Sequence, residues 1–384
     1  MILSIFIYTI VSCLLFFFGW HYNQRVSQYE LKPSTKQFLL SWEIIASLSL
    51  FTVVTALRYH TGWDHEYYIQ DYVMYQNEGT LFRDDFEIGF RFIESAFASL
   101  GFHYSVFFGF IGFINIFFIY IALRRNTEIL PWVGLFIMLG PYFLHLVNSI
   151  RQGVVECVFV SAVLLVTNKK YIWYFIVAFA MTLIHTVAYL IIPLYFVIKY
   201  PFKINKTRTL FLIYFGCFIL GQFPILLSWT INIFSDCLTL FGYHKYVDLF
   251  NSNPLYSFHR SPIGVVTITL LIIHIFLIFY YTAIRTYFKE NKFLAVCYNF
   301  AFIYACYFVL VMNTAFYFKR PCELILPFFV ISSGYLTDFL YKKHKIKQFI
   351  AFGLLNCIIT ITTLIKVYIN GQADSPNYYH FIPF

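Results

Sequence analysis

Charge is scarce in this sequence. Asp, Glu, Lys and Arg make up only 12% of its 384 residues, roughly half the share of about 25% usual in soluble domains. Long polar stretches are missing as well, so no soluble domain of ordinary size is expected beside the apolar segments. There is no C-x-x-C among the eight cysteines, which leaves no case for a zinc site or a disulfide framework. Cys13, Cys217, Cys297, Cys306 and Cys357 fall inside apolar runs, where Cys behaves as a small hydrophobe. Only Cys237 is expected in an outer loop. No metal and no cofactor is expected. The first twenty residues lack a basic leader and a small-residue cleavage site, so they are expected to form a span rather than a cleaved signal.

What is present is apolar and aromatic: 60% hydrophobic residues, 23% aromatic residues and a mean hydropathy of +0.71. No soluble core can bury that much apolar surface, whereas a bilayer can, at about 20 residues per spanning helix. The expected fold is therefore an all-α polytopic membrane protein, one integral unit over residues 1–384, with about twelve transmembrane helices. The candidate spans are 2–20, 38–57, 103–123, 129–147, 149–167, 171–184, 186–198, 209–229, 263–282, 293–312, 321–340 and 349–368. The pair 171–184 and 186–198 is short, and reads either as one kinked span or as two half-helices.

Eighteen of the 27 Lys and Arg residues fall in six loops that share one side when 171–198 is split in two. Basic residues concentrate on the cytoplasmic side of membrane proteins, which predicts an outward N-terminus. The net charge of +9 is then mostly topology and attraction to the anionic leaflet. With no basic patch on a soluble face, nucleic acid is not an expected partner.

The informative residues face outward. Arg58, Arg151 and Arg320 stand at the outer ends of apolar runs. Each alone reads as an interfacial anchor whose side chain snorkels to water. Three on one membrane face beside an acidic loop read as a functional group, because charge near hydrocarbon is costly unless paired or used. The first outer loop with its following helix is expected over 58–102, and a second outer loop over 230–262. In the first, Asp64, Tyr68, Asp71, Tyr72 and Tyr75 recur at helical spacing and share a face. Carboxylates and aromatic rings suit sugar hydroxyls and sugar C–H faces, although Tyr and Trp also form ordinary interfacial belts. Ile93, Ala96, Phe97 and Leu100 mark an amphipathic helix lying in the outer interface, with Glu87 at its start, where the dipole favours an anion. His185 separates the two short apolar segments. A lone His in such surroundings is more often structural, but a backbone break at membrane depth is tolerated only where it is buried or lines a wet cavity. The charges of 230–262 (Asp236, His244, Lys245, Asp248, His259 and Arg260) form no tight motif.

Taken in order, Arg58-x3-Gly62-x-Asp64-x2-Tyr67, Glu87-x-Gly89-Phe90, Ile150-Arg151-Gln152, His185 with a later Pro193, and Arg320 resemble the EpsG family of Wzy-like polymerases of exopolysaccharide, capsule or O-antigen. The resemblance covers roughly residues 40–335. Its motifs are short and degenerate, and Glu156-Cys157 after Arg151-Gln152 departs from the small residues usual there. The resemblance implies a glycosyltransferase-C-like membrane enzyme in the bacterial cytoplasmic (inner) membrane. Such an enzyme joins undecaprenyl-diphosphate-linked oligosaccharide units at the outer face, and a chain-length regulator and a flippase are candidate partner proteins. On that implication, Arg58, Arg151 and Arg320 are expected to hold the diphosphate, which arginine grips bidentately at any working pH. Asp64 is expected as the general base, with His185 second. Glu87, Tyr68, Asp71 and Tyr72 are expected to bind sugar. A lipid-linked oligosaccharide flippase and an O-antigen ligase-type transferase stay open as alternatives.

Overall fold

The computed structural model describes residues 2–30, 33–80, 86–140, 142–204, 206–223, 264–289, 291–314, 318–369 and 380–381. The second outer loop with its charges, and Asp84 and Asp85, lie outside these residues. Helices α1 (Ile2–Gln28), α2 (Thr35–Leu39) and α3 (Trp42–Ala56) lead to a two-residue strand β1 (Arg58–Tyr59). Next come α4 (His65–Glu78), α5 (Ile88–Ser99), α6 (Tyr104–Leu123), α7 (Leu130–Leu139), α8 (Tyr142–Asn148), α9 (Ile150–Thr167) and α10 (Tyr171–Thr182). A 3-10 turn over Thr186–Leu190 opens α11 (Ile191–Lys199). The chain continues through α12 (Thr207–Leu220), α13 (Val265–Tyr287), α14 (Lys292–Val311), α15 (Arg320–Glu323), α16 (Leu326–Lys342) and α17 (Ile346–Ile369), and ends in β2 (His380–Phe381). β1 and β2 pair antiparallel, with Arg58 opposite Phe381 and Tyr59 opposite His380.

The protein is a helical membrane protein, and the described residues hold six or seven of the twelve expected spans at full length. Among the described residues, α1, α6, α9, α13, α14 and α17 are long and apolar enough to cross a bilayer. A broken pair, α7 with its preceding turn and α8, is bent by 61° and makes up to one more. Helices α3, α10, α11 with its turn, and α12 are apolar but only 12–15 residues long. At 1.5 Å per residue these rise only about 18–23 Å, short of a core about 30 Å thick. Among the described residues, each apolar stretch read from the sequence is mostly helical. Composition does not reveal which of them stop part-way, because a half-span inside a helical bundle is as apolar as a full one.

Segments 171–184 and 186–198 are two helices, not one kinked rod. The ammonium of Lys199, at the end of α11, lies 5.0 Å from the Tyr171 ring at the start of α10. The Tyr174 hydroxyl donates to the Ile191 carbonyl at 2.6 Å. The pair is thus a hairpin with His185 at its tip. Its basic ends lie together, as the split required.

The bundle has two chemically distinct ends. At one, Arg25 clamps Glu43 through two hydrogen bonds of 2.8 and 2.9 Å. Thr127 there donates to Asn23, Asn291 bonds Asn126, and Arg285 reaches the Phe202 carbonyl. The basic loops lie at this end. The other end carries the strand pair, α4, α5, the tip of the α10–α11 hairpin, and Arg320.

Candidate functional site

Gly62 fixes how the first loop meets the bundle. Its backbone is left-handed, with φ of 100°, and a Cβ there would lie 2.7 Å from the Val147 carbonyl oxygen. Only glycine allows both that conformation and that approach. The Arg58 guanidinium can therefore donate to the carbonyls of Thr61 and Val147 while stacking 4.8 Å over the Phe108 ring. Two residues on, the Asp64 amide donates to the Asn148 side chain at 3.1 Å. Arg58 is 2% exposed, so it braces the α8–α9 break from within and presents no surface to a ligand. His65 stacks 4.7 Å from the same Phe108. Burial, and then the Arg58 charge, push its pKa down to about 2, so its ring is neutral.

Gly89 is the second close approach. The amides of Gly89 and Phe90 both donate to the Leu183 carbonyl, at 2.8 and 3.2 Å. A Cβ on Gly89 would lie 2.7 Å from that oxygen. The start of α5 is thereby pinned to the tip of the α10–α11 hairpin. This brings both Glu87 oxygens to partners. One accepts the Thr186 amide at 2.8 Å, and the other accepts the Arg151 guanidinium in a largely buried ion pair. Arg151 also lies 3.9 Å over the Phe86 ring and donates to the Tyr68 hydroxyl. With both carboxylate oxygens engaged, Glu87 holds Arg151 rather than offering itself to a sugar.

His185 sits at the hairpin tip, buried, with Nδ1 accepting the Val187 amide at 3.0 Å. Burial first, then the charges of Arg151 and Arg320, hold its pKa well below the ordinary histidine value. A neutral ring whose Nδ1 accepts a hydrogen bond carries its proton on Nε2. His185 is thus a hydrogen-bond donor as it stands.

Arg320 is half-buried, and its backbone is anchored: Gln152 donates to the Arg320 carbonyl at 3.1 Å and to Glu156 at 3.0 Å. Glu156 in turn bonds His145 at 2.7 Å, and His145 lies 4.0 Å from Glu323. The departure at Glu156-Cys157 is therefore explained. Glu156 is the fully buried link that ties Arg151-Gln152 to the Arg320 turn.

The tyrosine face of α4 turns inward. Tyr68, Asp71 and Tyr72 are buried. Tyr68 packs 5.5 Å from Phe86 and Tyr72 5.6 Å from Phe107, and the Tyr72 hydroxyl donates to the Phe102 carbonyl at 2.9 Å. None of the three offers a ring face or a free edge to solvent, so this face forms the packing between α4, α5 and α6. Asp64, at the start of α4, is half-buried. Helix α5 differs in a related way from its sequence pattern. Ile88, Phe92 and Leu100 are exposed, as suits a helix at a membrane interface, while its buried edge runs through Phe90, Glu94 and Ala98. Glu94 was not singled out in the sequence. Its place seven residues after Glu87, on the same helical face, was the available signal. Fully buried, it lies near Asp71, and burial and then the Asp71 charge raise its pKa to about 9.

Among the described residues, no group of three His, Cys, Asp or Glu side chains could hold a metal ion. Of the expected site residues, Arg151, Glu87, His185 and Arg320 converge, with Asp64 and Tyr68 at the margin. Arg58, Asp71 and Tyr72 lie beneath them.

An all-helical membrane protein with a cluster of arginines, a neutral histidine and carboxylates at the end opposite its basic loops is the class these features define. The chain belongs to the EpsG family, whose model matches residues 42–384. No curated protein and no solved structure matches it.

Proposed function

We propose that this protein is a polysaccharide polymerase of the bacterial cytoplasmic membrane, transferring a glycan from undecaprenyl diphosphate to another lipid-linked repeat unit. The observation that carries this reading is the convergence of Arg151, His185 and Arg320 on the α5–hairpin junction. Membership of EpsG, a family of polysaccharide biosynthesis, supports it.

In the reaction, an acceptor hydroxyl oxygen bonds to the donor's anomeric carbon. The bond from that carbon to the diphosphate oxygen breaks, the diphosphate leaves with the electron pair, and the hydroxyl proton is lost. Charge builds on the leaving diphosphate, and fixed donors aimed at such charge are commonly the largest catalytic contribution. Arg320, half-exposed, and the Nε2–H of His185 supply those donors. Arg151, held by Glu87 and Phe86, adds a fixed positive charge behind them. Asp64, half-exposed and near Tyr68, takes the hydroxyl proton. The hydrogen bond at Nδ1 makes His185 a poor base and a good donor, which reverses the order in which an imidazole is usually considered.

Deletion of the gene, followed by analysis of lipid-linked glycans, tests the reading. Single repeat units accumulating outside the membrane support it. Long chains left unligated point to a ligase, and units retained on the cytoplasmic leaflet point to a flippase.

A further inference from the structure

An apolar groove of about 500 Å³ lies between α6, α9 and α10, outside the residues discussed so far. Phe118, Val158, Leu165 and Met181 form its walls. One end reaches Ile93 and Ile184, the neighbours in sequence of Glu94 and His185. The other end reaches Arg124, Asn168 and Lys170, among the basic loops. Along α9 the lining runs from Val154 to Leu165, a separation of eleven steps and so about 16 Å, half the thickness of the hydrocarbon core. Ala180 lines the groove yet is exposed. Beside it Phe179 and Leu183 are also exposed, at 55% and 50%. The groove is therefore open on its flank, in the part of the protein that hydrocarbon surrounds. A ligand would enter sideways from the bilayer, and would be a long apolar chain.

The position of the groove says which chain. The Leu183 carbonyl beside Ile184 is the atom that seats α5 and sets Glu87 on Arg151. A chain leaving the groove past Ile184 reaches His185 and the two arginines. An apolar tail there carries an anionic head directly into a cationic cluster. We infer that this groove holds the polyisoprenoid tail of a lipid diphosphate whose head lies at Arg151, His185 and Arg320. This rests on the polymerase reading and adds the surface that selects the lipid carrier by its chain.

Purified full-length protein is titrated with inorganic diphosphate and with undecaprenyl diphosphate. Ala180→Trp fills the groove from its exposed flank, and Ser161→Trp fills it from α9. Wild type should bind the long-chain diphosphate more tightly by tenfold or more, about 1.4 kcal/mol. Each variant should lose that preference while binding inorganic diphosphate as wild type does, which also shows that it is folded. Should both variants keep that preference, the groove is not the tail site, whether or not phospholipid is found in it. Should wild type bind neither diphosphate, the polymerase reading itself fails, a result distinct from failure of the groove alone.

Discussion

Glu87 and Arg151, sixty-four residues apart in the chain, form a buried ion pair that joins the start of α5 to the start of α9. The second Glu87 oxygen takes the Thr186 amide, so one carboxylate aligns three elements. Removing one partner of a buried pair leaves the other charge uncompensated, at about 3–5 kcal/mol. Glu87→Ala should abolish polymer formation and lower the amount of folded protein. Glu87→Gln, whose amide oxygen still accepts, should be milder in both. Polymer length on gels, set against protein abundance in membranes, measures this. Equal, near wild-type polymer from both variants would contradict the assignment.

Gly89→Ala should damage function through geometry alone. The added methyl would sit 2.7 Å from the Leu183 carbonyl oxygen, forcing α5 off the hairpin tip and Glu87 away from Arg151. A displacement on the order of 1 Å can cost about 100-fold in rate. Gly353→Ala is the control, since a Cβ there meets nothing within 4 Å. It should leave chain growth unchanged and, as an alanine within a helix, stabilise slightly.

Arg58→Lys should lower stability. Its guanidinium bridges the Thr61 and Val147 carbonyls, tying the first loop to the end of α8, and stacks on Phe108, a fork and stack that an ammonium cannot reproduce. The expected signature is a lower thermal midpoint, with the affinity for lipid diphosphate unchanged in the protein that remains folded. A loss of affinity at unchanged stability would instead return Arg58 to the ligand site.

Glu94 predicts a pH dependence. Its carboxyl has an ordinary value of 4.5 when unfolded and about 9 when folded. Between these, the folded protein binds more protons than the unfolded chain, so stability falls as pH rises. The thermal midpoint should decline across that window in wild type, and the decline should be shallower in Glu94→Gln. Identical slopes would show that Glu94 does not keep its proton above the ordinary carboxyl range in the folded protein.

Much of the site was legible because its motifs encode close approaches. Gly62 and Gly89 stand where a Cβ would strike a carbonyl. Arg58, Arg151, His185 and Arg320 are costly residues in an apolar chain, and they do collect at one end. What the pattern could not give was direction. In a membrane protein, both lipid and protein interior are apolar, so helical spacing does not say which face looks inward. The Tyr68–Tyr72 face therefore reads as a sugar platform but packs against Phe86 and Phe107. The apolar stripe of α5 concealed a buried edge through Glu94. The engagement of Glu87 depends on Thr186, ninety-nine residues away, which no local spacing announces. Span length was legible only in part for the same reason, since α3, α10, α11 and α12 are as apolar as full spans yet shorter.

The central claim is that Arg320 and His185, with Arg151 behind them, stabilise a departing lipid diphosphate at the end of the bundle opposite the basic loops. The direct measurement is chain extension by the purified protein in liposomes supplied with a lipid-linked repeat unit, comparing wild type with Arg320→Lys. The wild type should produce a ladder of lengthening glycans and release undecaprenyl diphosphate. The lysine variant, equally folded, should slow both by about tenfold to a thousandfold, the range for losing a key charge-stabilising donor. An unchanged ladder from Arg320→Lys would contradict the account.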